Sequence, residues 1–445
     1  MKVKTPKRIK PLLIAALMLL LAAAAATATA YMRVKGERAV LSTEYTQQAR
    51  AEVEALTAMT CAGTDVPYAT ADFTVLDLSD RSTAVSLRDG GDAPDIALDG
   101  FSGDIAFARA PQDAEVVVRF GAAEVFRGTP DEYNSTFRPA EDGTYDIAVR
   151  ADMENISAKG TATYAFRVTY KIVPAFRLSR GTVPQGGALL VLGDNLRPTD
   201  AVSVRVPFAF EPHVVRTDTG LYAYIPFNYL RTAGDYTIEV DCNGAVTPLT
   251  CSVTAVTYAE QHLVVDEQTE STTIGDTSAL ATYNDTIAGL DKIADDAVYW
   301  TGTFMWPCEG TVSTEFGAQR YINDAAQPSS IHAGIDIACD EGTPVAAANA
   351  GRVLYADFLQ VSGWTVVIEH GGGLHTMYLH MSSLNCKAGD MVARGDIIGA
   401  VGQTGFATGP HLHFQASVGG ACISPVFLFD GTSGVYDLSG GAAQP

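Results

Sequence analysis

No CxxC pair occurs among the seven cysteines of this 445-residue chain, which speaks against a thiolate metal site or a thioredoxin-like motif. Positive charge is scarce too. Thirty basic residues face 51 acidic ones, and five of the 30 (Lys2, Lys4, Lys7, Arg8 and Lys10) sit in the first ten positions, where there is no acid. The rest of the chain therefore carries 25 basic against 51 acidic residues, a formal −26. So negative a surface repels polyanions, which argues against nucleic acid as a partner. Charged residues make up only 18% against 47% hydrophobic, with 41 glycines and 20 prolines, a balance that excludes a coiled coil or a disordered chain and leaves a globular, turn-rich protein. The length predicts about three folded units.

Residues 12–30, LLIAALMLLLAAAAATATA, form an uncharged run directly behind the basic cluster. It is just long enough to cross a bilayer as a helix. Two readings compete for residues 1–31. One is a retained transmembrane anchor; the other is a signal peptide cut after Ala28-Thr29-Ala30, a small-x-small pattern. The first makes a single-pass membrane protein with its active part outside the cytoplasm, and the second makes a secreted one. Residues 32–63 follow as a juxtamembrane segment. The cysteines are compatible with disulfides in such a compartment, and their odd number leaves at least one unpaired or intermolecular. If Asn243-Gly244 is a two-residue hairpin turn, Cys242 faces Ala245 and Cys251 faces Tyr236, which argues against a local pair.

The expected fold class is mainly β. Period-two alternation dominates from about residue 64 to 256, as in Tyr164, Phe166, Val168 and Tyr170 on one strand face with Ala165, Arg167, Thr169 and Lys171 on the other. The pattern G-x-Y-x-I-x-V occurs at Gly143–Val149 and again at Gly234–Val240. A tyrosine so placed resembles the tyrosine corner of immunoglobulin-like sandwiches. Two Ig-like β-sandwich modules are expected, over 64–173 and 174–256, acting as spacer or scaffold. Residues 257–299 read as a polar linker in which Leu280, Tyr283, Ile287, Leu290 and Ile293 mark one short amphipathic helix. A last domain is expected over 300–432 and a tail over 433–445.

The chemistry concentrates in that last domain. Five of the eight histidines lie between residues 370 and 413, and His332 is a sixth. Three clusters stand out: His332-Ala333-Gly334-Ile335-Asp336, Tyr378-Leu379-His380, and Gly409-Pro410-His411-Leu412-His413-Phe414. Strand residues two apart share a face about 6.6 Å apart, so His411 and His413 reach into one site, and alternation predicts the same of Tyr378 and His380. His332 and Asp336 would be roughly 13 Å apart if extended, so the chain must bend between them, and Gly334 permits it. Two imidazoles and a carboxylate suffice for a catalytic zinc with one open position, leaving two histidines for proton transfer.

Together these clusters resemble the M23 family of zinc metallopeptidases, the lysostaphin and LytM type, over about 304–430. The matching text is STEFG at 313–317, HAGIDIA at 332–338, GTPVAAANAGRV at 342–353, VVIEHGGGLHTMYLHMSSL at 366–384 and GQTGFATGPHLHFQ at 402–415. The resemblance implies a compact antiparallel β peptidase domain with an open groove. It implies that His332, Asp336 and His413 bind Zn2+ and that His380 and His411 are the catalytic pair, without deciding which imidazole accepts the proton and which steadies the oxyanion. It also implies a bacterial peptidoglycan peptide as partner, with the membrane a second one if residues 12–30 are retained. Two departures from the family pattern are Gln415, where an acid is common, and the polar insert from Arg320 to Ile331; neither is expected to touch a ligand.

The remaining histidines take bland readings. Alternation puts His375 on the face opposite His380, as a surface or packing residue; His370 is structural, and His213 and His262 are non-catalytic. Two other functions compete. Some family members are non-catalytic regulators or scaffolds, but those lack ligand residues and all five positions are filled here. A biotinyl or lipoyl carrier barrel needs a lysine at a hairpin tip; Lys387, the only lysine after residue 300, lacks the flanks.

Overall fold

The computed structural model describes residues 11–76, 82–88, 94–101, 103–218, 220–265, 267–323, 325–431 and 434–435. The chain divides into two compact units, residues 1–172 and 173–445.

In the first unit, the helix expected over 12–30 is part of a longer one, Pro11–Leu56. The side chains of residues 1–25 lie outside the described residues. Among the described residues, no helix is long and apolar enough to cross a membrane. The helix's end is anchored in this unit, where Ala49, Val53 and Leu56 are buried in one core with Phe73, Ile147 and Phe166. Alternating apolar residues place that core between a seven-stranded sheet and a three-stranded one made by Thr64–Val66, Met59–Cys61 and Ile105–Phe107. The long pair Gly143–Glu154 and Ala158–Tyr170 forms the sheet's centre. Tyr145 donates its hydroxyl to the Glu141 carbonyl at 2.9 Å, tying the start of its strand to the chain four residues upstream.

The second unit begins with a sandwich of two four-stranded sheets. Tyr236 repeats the tie, its hydroxyl on the Thr232 carbonyl at 2.7 Å. The hairpin Gly234–Cys242 with Ala245–Thr254 pairs Cys242 with Ala245 and Cys251 with Tyr236. The architecture is thus mainly β, while an immunoglobulin-like character of either module is not shown by it.

This sandwich is not a module apart from the domain that follows. Its strand Gly187–Asp194 turns Leu189 and Val191 into the sandwich interior and Ala188, Leu190 and Leu192 into a core shared with Phe304, Ile337, Val366 and Phe414. The neighbouring strand Gly220–Phe227 divides likewise, with Ala223, Ile225 and Phe227 inward and Tyr222 and Tyr224 in the shared core. Strands buried on both faces read as unbroken apolar runs rather than alternating ones, and GALLVLG and GLYAYIPF are such runs.

Nor is 257–299 a free linker. Glu260–Leu263 pairs in parallel with Gln319–Ile322. The expected helix is present as Thr277–Leu290, with Asp276 accepting from the Ser278 and Ala279 amides at its start. Ile287 and Leu290 pack on Val367, Met377 and Leu379.

The last domain is built on a ten-stranded sheet whose central strands run in the order Thr311–Thr314, Ile335–Ala338, His411–Val418, Leu374–Leu384, Gly363–Glu369 and Gly351–Leu359. One face, with Ile335, Ile337, Leu412, Phe414 and Ala416, enters the shared core. The other face carries the site.

Candidate metal centre

Antiparallel register assembles the site. Asp336 is paired with His413 and Ala338 with His411, so the two histidines and the carboxylate emerge on the sheet face opposite Leu412 and Phe414. His332 enters from the turn before Ile335–Ala338. Gly334 is required there for close approach: a β-carbon would lie 2.3 Å from the Phe414 carbonyl oxygen.

The three expected ligands converge. His332 Nε2, His413 Nδ1 and Asp336 Oδ1 form a triangle with sides of 2.9, 2.9 and 3.0 Å. The side chains are buried, at 1%, 8% and 8% exposure. His332 Nδ1 lies 2.9 Å from the Glu315 carbonyl oxygen, which only accepts, so Nδ1 carries the proton. Burial pulls the His332 imidazole down to about 4, and the facing carboxylate offsets only part of this, so its Nε2 is a bare lone pair near neutral pH. Its lone pair therefore faces a carboxylate oxygen and a second imidazole nitrogen. Two imidazole nitrogens and a carboxylate oxygen so placed fit a cation: four tetrahedral donors about 2.0–2.1 Å from zinc lie about 3.3 Å from one another, close to the spacing found.

His380 and His411 stand beside the triad. Each fixes its Nδ1–H on a carbonyl, His380 on Thr404 and His411 on Gly409, both at 2.8 Å. Both rings therefore present Nε2, and their centroids are 4.9 Å apart. His411 Nε2 lies 3.8 Å from Asp336 Oδ1. Burial lowers the pKa of both, that of His380 to about 3 with further help from His411 and His413.

Tyr378 and His380 do not share a face, contrary to the alternation argument. Tyr378 is paired with Phe414 and Leu379 with His413, so regular pleating would send His380 into the core after Tyr378. The register slips at this point, with Met381 picking up Trp364 and Val401, and His380 takes φ +61°. That left-handed residue turns the imidazole back to the Leu379 and His413 side, and a non-glycine there marks local strain. Tyr378 instead donates to nothing at the site: its buried hydroxyl accepts from the Ala348 amide at 2.8 Å.

Both departures from the family pattern also touch expected ligands, correcting the expectation that neither does. Arg320 of the insert forms an ion pair with Asp336 Oδ2. Gln415 Oε1 is 3.5 Å from His413 Nε2, a long contact in the place where an acid would accept from that nitrogen. Sequence reasoning also missed Gln261, which accepts from Arg320 Nε at 2.8 Å; no local pattern links residue 261 to the site.

The other histidines are structural. His375 is fully buried, 2.6 Å from Glu369 and 3.0 Å from the Ile293 carbonyl oxygen. It is paired with Ser417 on the same register as Met377 with Gln415, so the parity reason offered for it fails while the packing role holds. His370 bridges the Ala350 carbonyl and the Thr376 hydroxyl. His213 pairs with Asp296, and His262 stacks on Tyr321.

Comparison with known proteins finds similarity over the segment that carries this site. Residues 330–425 match the model of peptidase family M23. Over 96 residues, 22% of each chain, the sequence is 41% identical to the DD-carboxypeptidase/endopeptidase Mpg of Neisseria meningitidis serogroup B. It is 42% identical to lysostaphin of Staphylococcus staphylolyticus over 20% of this chain and 19% of that one. It is 38% identical to the peptidoglycan DD-endopeptidase ShyA of Vibrio cholerae over 24% and 25%. The match thus spans a quarter or less of each relative's own length.

Proposed function

We propose that residues 300–432 are a zinc-dependent metalloendopeptidase domain that hydrolyses peptide bonds in the stems or cross-bridges of bacterial peptidoglycan. The observation that carries this reading is the triangle of two imidazole nitrogens and a carboxylate oxygen with two further imidazoles presenting Nε2 beside it. The names of the three relatives support the substrate class. All five positions being filled speaks against a purely regulatory or scaffolding role.

Zinc held by His332, Asp336 and His413 would polarise the scissile carbonyl and acidify a water. His380 and His411, neutral at working pH, are each competent to accept the proton that water loses and to return it to the leaving amine. Their Nδ1–H bonds to Thr404 and Gly409 lock the tautomer, so neither ring needs to reorganise before reacting.

In this proposal residues 12–30 either hold the protein at the outer face of the cell membrane or serve as a leader cut after Ala30. N-terminal sequencing of the mature protein separates the two. For the activity, the full chain with zinc is incubated with peptidoglycan sacculi and the released fragments are identified by mass spectrometry. New stem-peptide termini made by the unmutated chain, and not by His411→Ala or Asp336→Ala, are expected. Intact sacculi in the presence of the zinc-loaded chain would overturn the reading.

A further inference from the structure

We propose that Arg320 is a positioning residue for the metal-binding carboxylate, held in place by Gln261 from the segment that precedes the domain. The inference rests on the metal reading of the site and concerns how that site is kept in shape.

The two oxygens of Asp336 have different surroundings. Oδ1 faces His332 Nε2 and His413 Nδ1, while Oδ2 is taken by the Arg320 guanidinium. The carboxylate is thereby divided, with one oxygen turned to the metal position and the other engaged by a fixed cation. A free carboxylate can bind a metal through both oxygens; this one is held to one.

Arg320 is itself tightly placed, its side chain only 18% exposed. Nε donates to Gln261 Oε1 at 2.8 Å, and Gln261 Nε2 donates to Thr314 Oγ1 at 2.7 Å. Thr314 is in turn the strand partner of Asp336. The loop of contacts therefore closes: Asp336, Arg320, Gln261, Thr314 and back across the sheet to Asp336. The backbone is fixed on both sides as well, since residue 320 is paired with Gln261 on one edge and Ser330 on the other. A guanidinium placed only to neutralise a buried acid would need none of these constraints. Its planar fork, which offers donors in fixed directions, is what a carboxylate orientation requires.

The test uses the full chain with Arg320→Gln, Arg320→Lys and Gln261→Ala. Zinc affinity is measured by competition with a chromophoric chelator, and coordination by the visible absorption of the cobalt(II)-loaded chain, which is stronger for four-coordinate than for five-coordinate cobalt. Loss of an outer-shell partner typically weakens metal binding by about 10- to 100-fold, and that range is expected for Arg320→Gln. Arg320→Lys should recover part of it, and Gln261→Ala should weaken binding severalfold. The cobalt band of Arg320→Gln should fall as the freed second oxygen joins the metal. Melting of the metal-free variants controls for a merely structural role, which would lower stability without changing the cobalt spectrum. If Arg320→Gln fails to fold, Gln261→Ala decides. Unchanged zinc affinity and cobalt spectrum in the variants would overturn the inference alone; a full unmutated chain that binds no zinc would overturn both it and the metal reading.

Discussion

The imidazole rings of His380 and His411 lie 4.9 Å apart, although His380 belongs to a strand whose pleat would point it to the opposite side of the sheet. The φ of +61° at His380 makes the encounter, and its surroundings hold it: the His380 amide donates to the Ser362 carbonyl, and Nδ1 to that of Thr404. Gly363 lets these loops meet, since a β-carbon there would lie 2.0 Å from Thr404 Oγ1. Gly363→Ala should therefore displace His380. Turnover of a peptidoglycan fragment is expected to fall by about 100-fold or more, the scale of lost proton-transfer catalysis, while zinc content stays near one per chain. Undiminished turnover would mean that His380 needs no such placement.

A fragment starting at residue 300 should behave worse than one starting at 173. It would uncover the shared-core surface that Leu190, Leu192, Tyr222 and Tyr224 now bury, and it would remove Gln261 from Arg320. Exposed apolar patches of this kind promote association. Gel filtration and thermal melting of the two fragments should show the shorter one aggregated or melting several degrees lower; equal behaviour would show that the interface contributes little.

Cys308 and Cys339 face each other with Sγ atoms 3.8 Å apart. A disulfide acceptor such as oxidised glutathione should take up their two electrons and two protons and leave a Cys308–Cys339 bond. The closed loop would span the 31-residue separation, and the chain-entropy account assigns such a loop about 4 kcal/mol. Peptide mapping without reductant should find the cross-linked pair, and melting should rise on oxidation. Absence of the cross-link after full oxidation would refute the pairing.

Acid should weaken the fold through His370. The side chain is fully buried, and burial pulls its pKa from 6.5 down to about 4, with the hydrogen bond to the Ala350 carbonyl and the nearby Glu369 offsetting part of this and His375 adding to it. Because the folded value lies below the unfolded one, the unfolded chain binds the proton first. The stability contribution is complete above pH 6.5 and is lost as pH falls toward 4. The loss amounts to roughly 3 kcal/mol. Denaturant unfolding between pH 7 and 4 should show this loss on top of that from the other buried histidines, and His370→Gln should reduce the total slope by its share.

Much of the site was legible in the sequence. His411 and His413 share one strand face as alternation predicts, and His332 meets Asp336 across the bend at Gly334, so these local pairs could be read from spacing. The two tyrosine ties at Tyr145 and Tyr236 follow from a repeated local pattern for the same reason. Motifs of this kind lie within a few residues, where strand geometry alone sets which side chains meet.

What only the tertiary structure decided involves residues far apart or places where alternation breaks. Gln261 reaches Asp336 through Arg320 because a parallel strand pair, not a spacing, joins residues 261 and 320. His380 faces the site through one backbone dihedral that the side-chain pattern does not encode. The sandwich and the last domain share a core because two strands are apolar on both faces; the runs were visible, but what would cover the second face was not. Composition and period thus determined the strands and the histidine clusters, while the choice of His332, Asp336 and His413 among them came from the resemblance to the M23 family. Long-range pairing determined how the donors are held, because contact between distant segments depends on the whole packed chain.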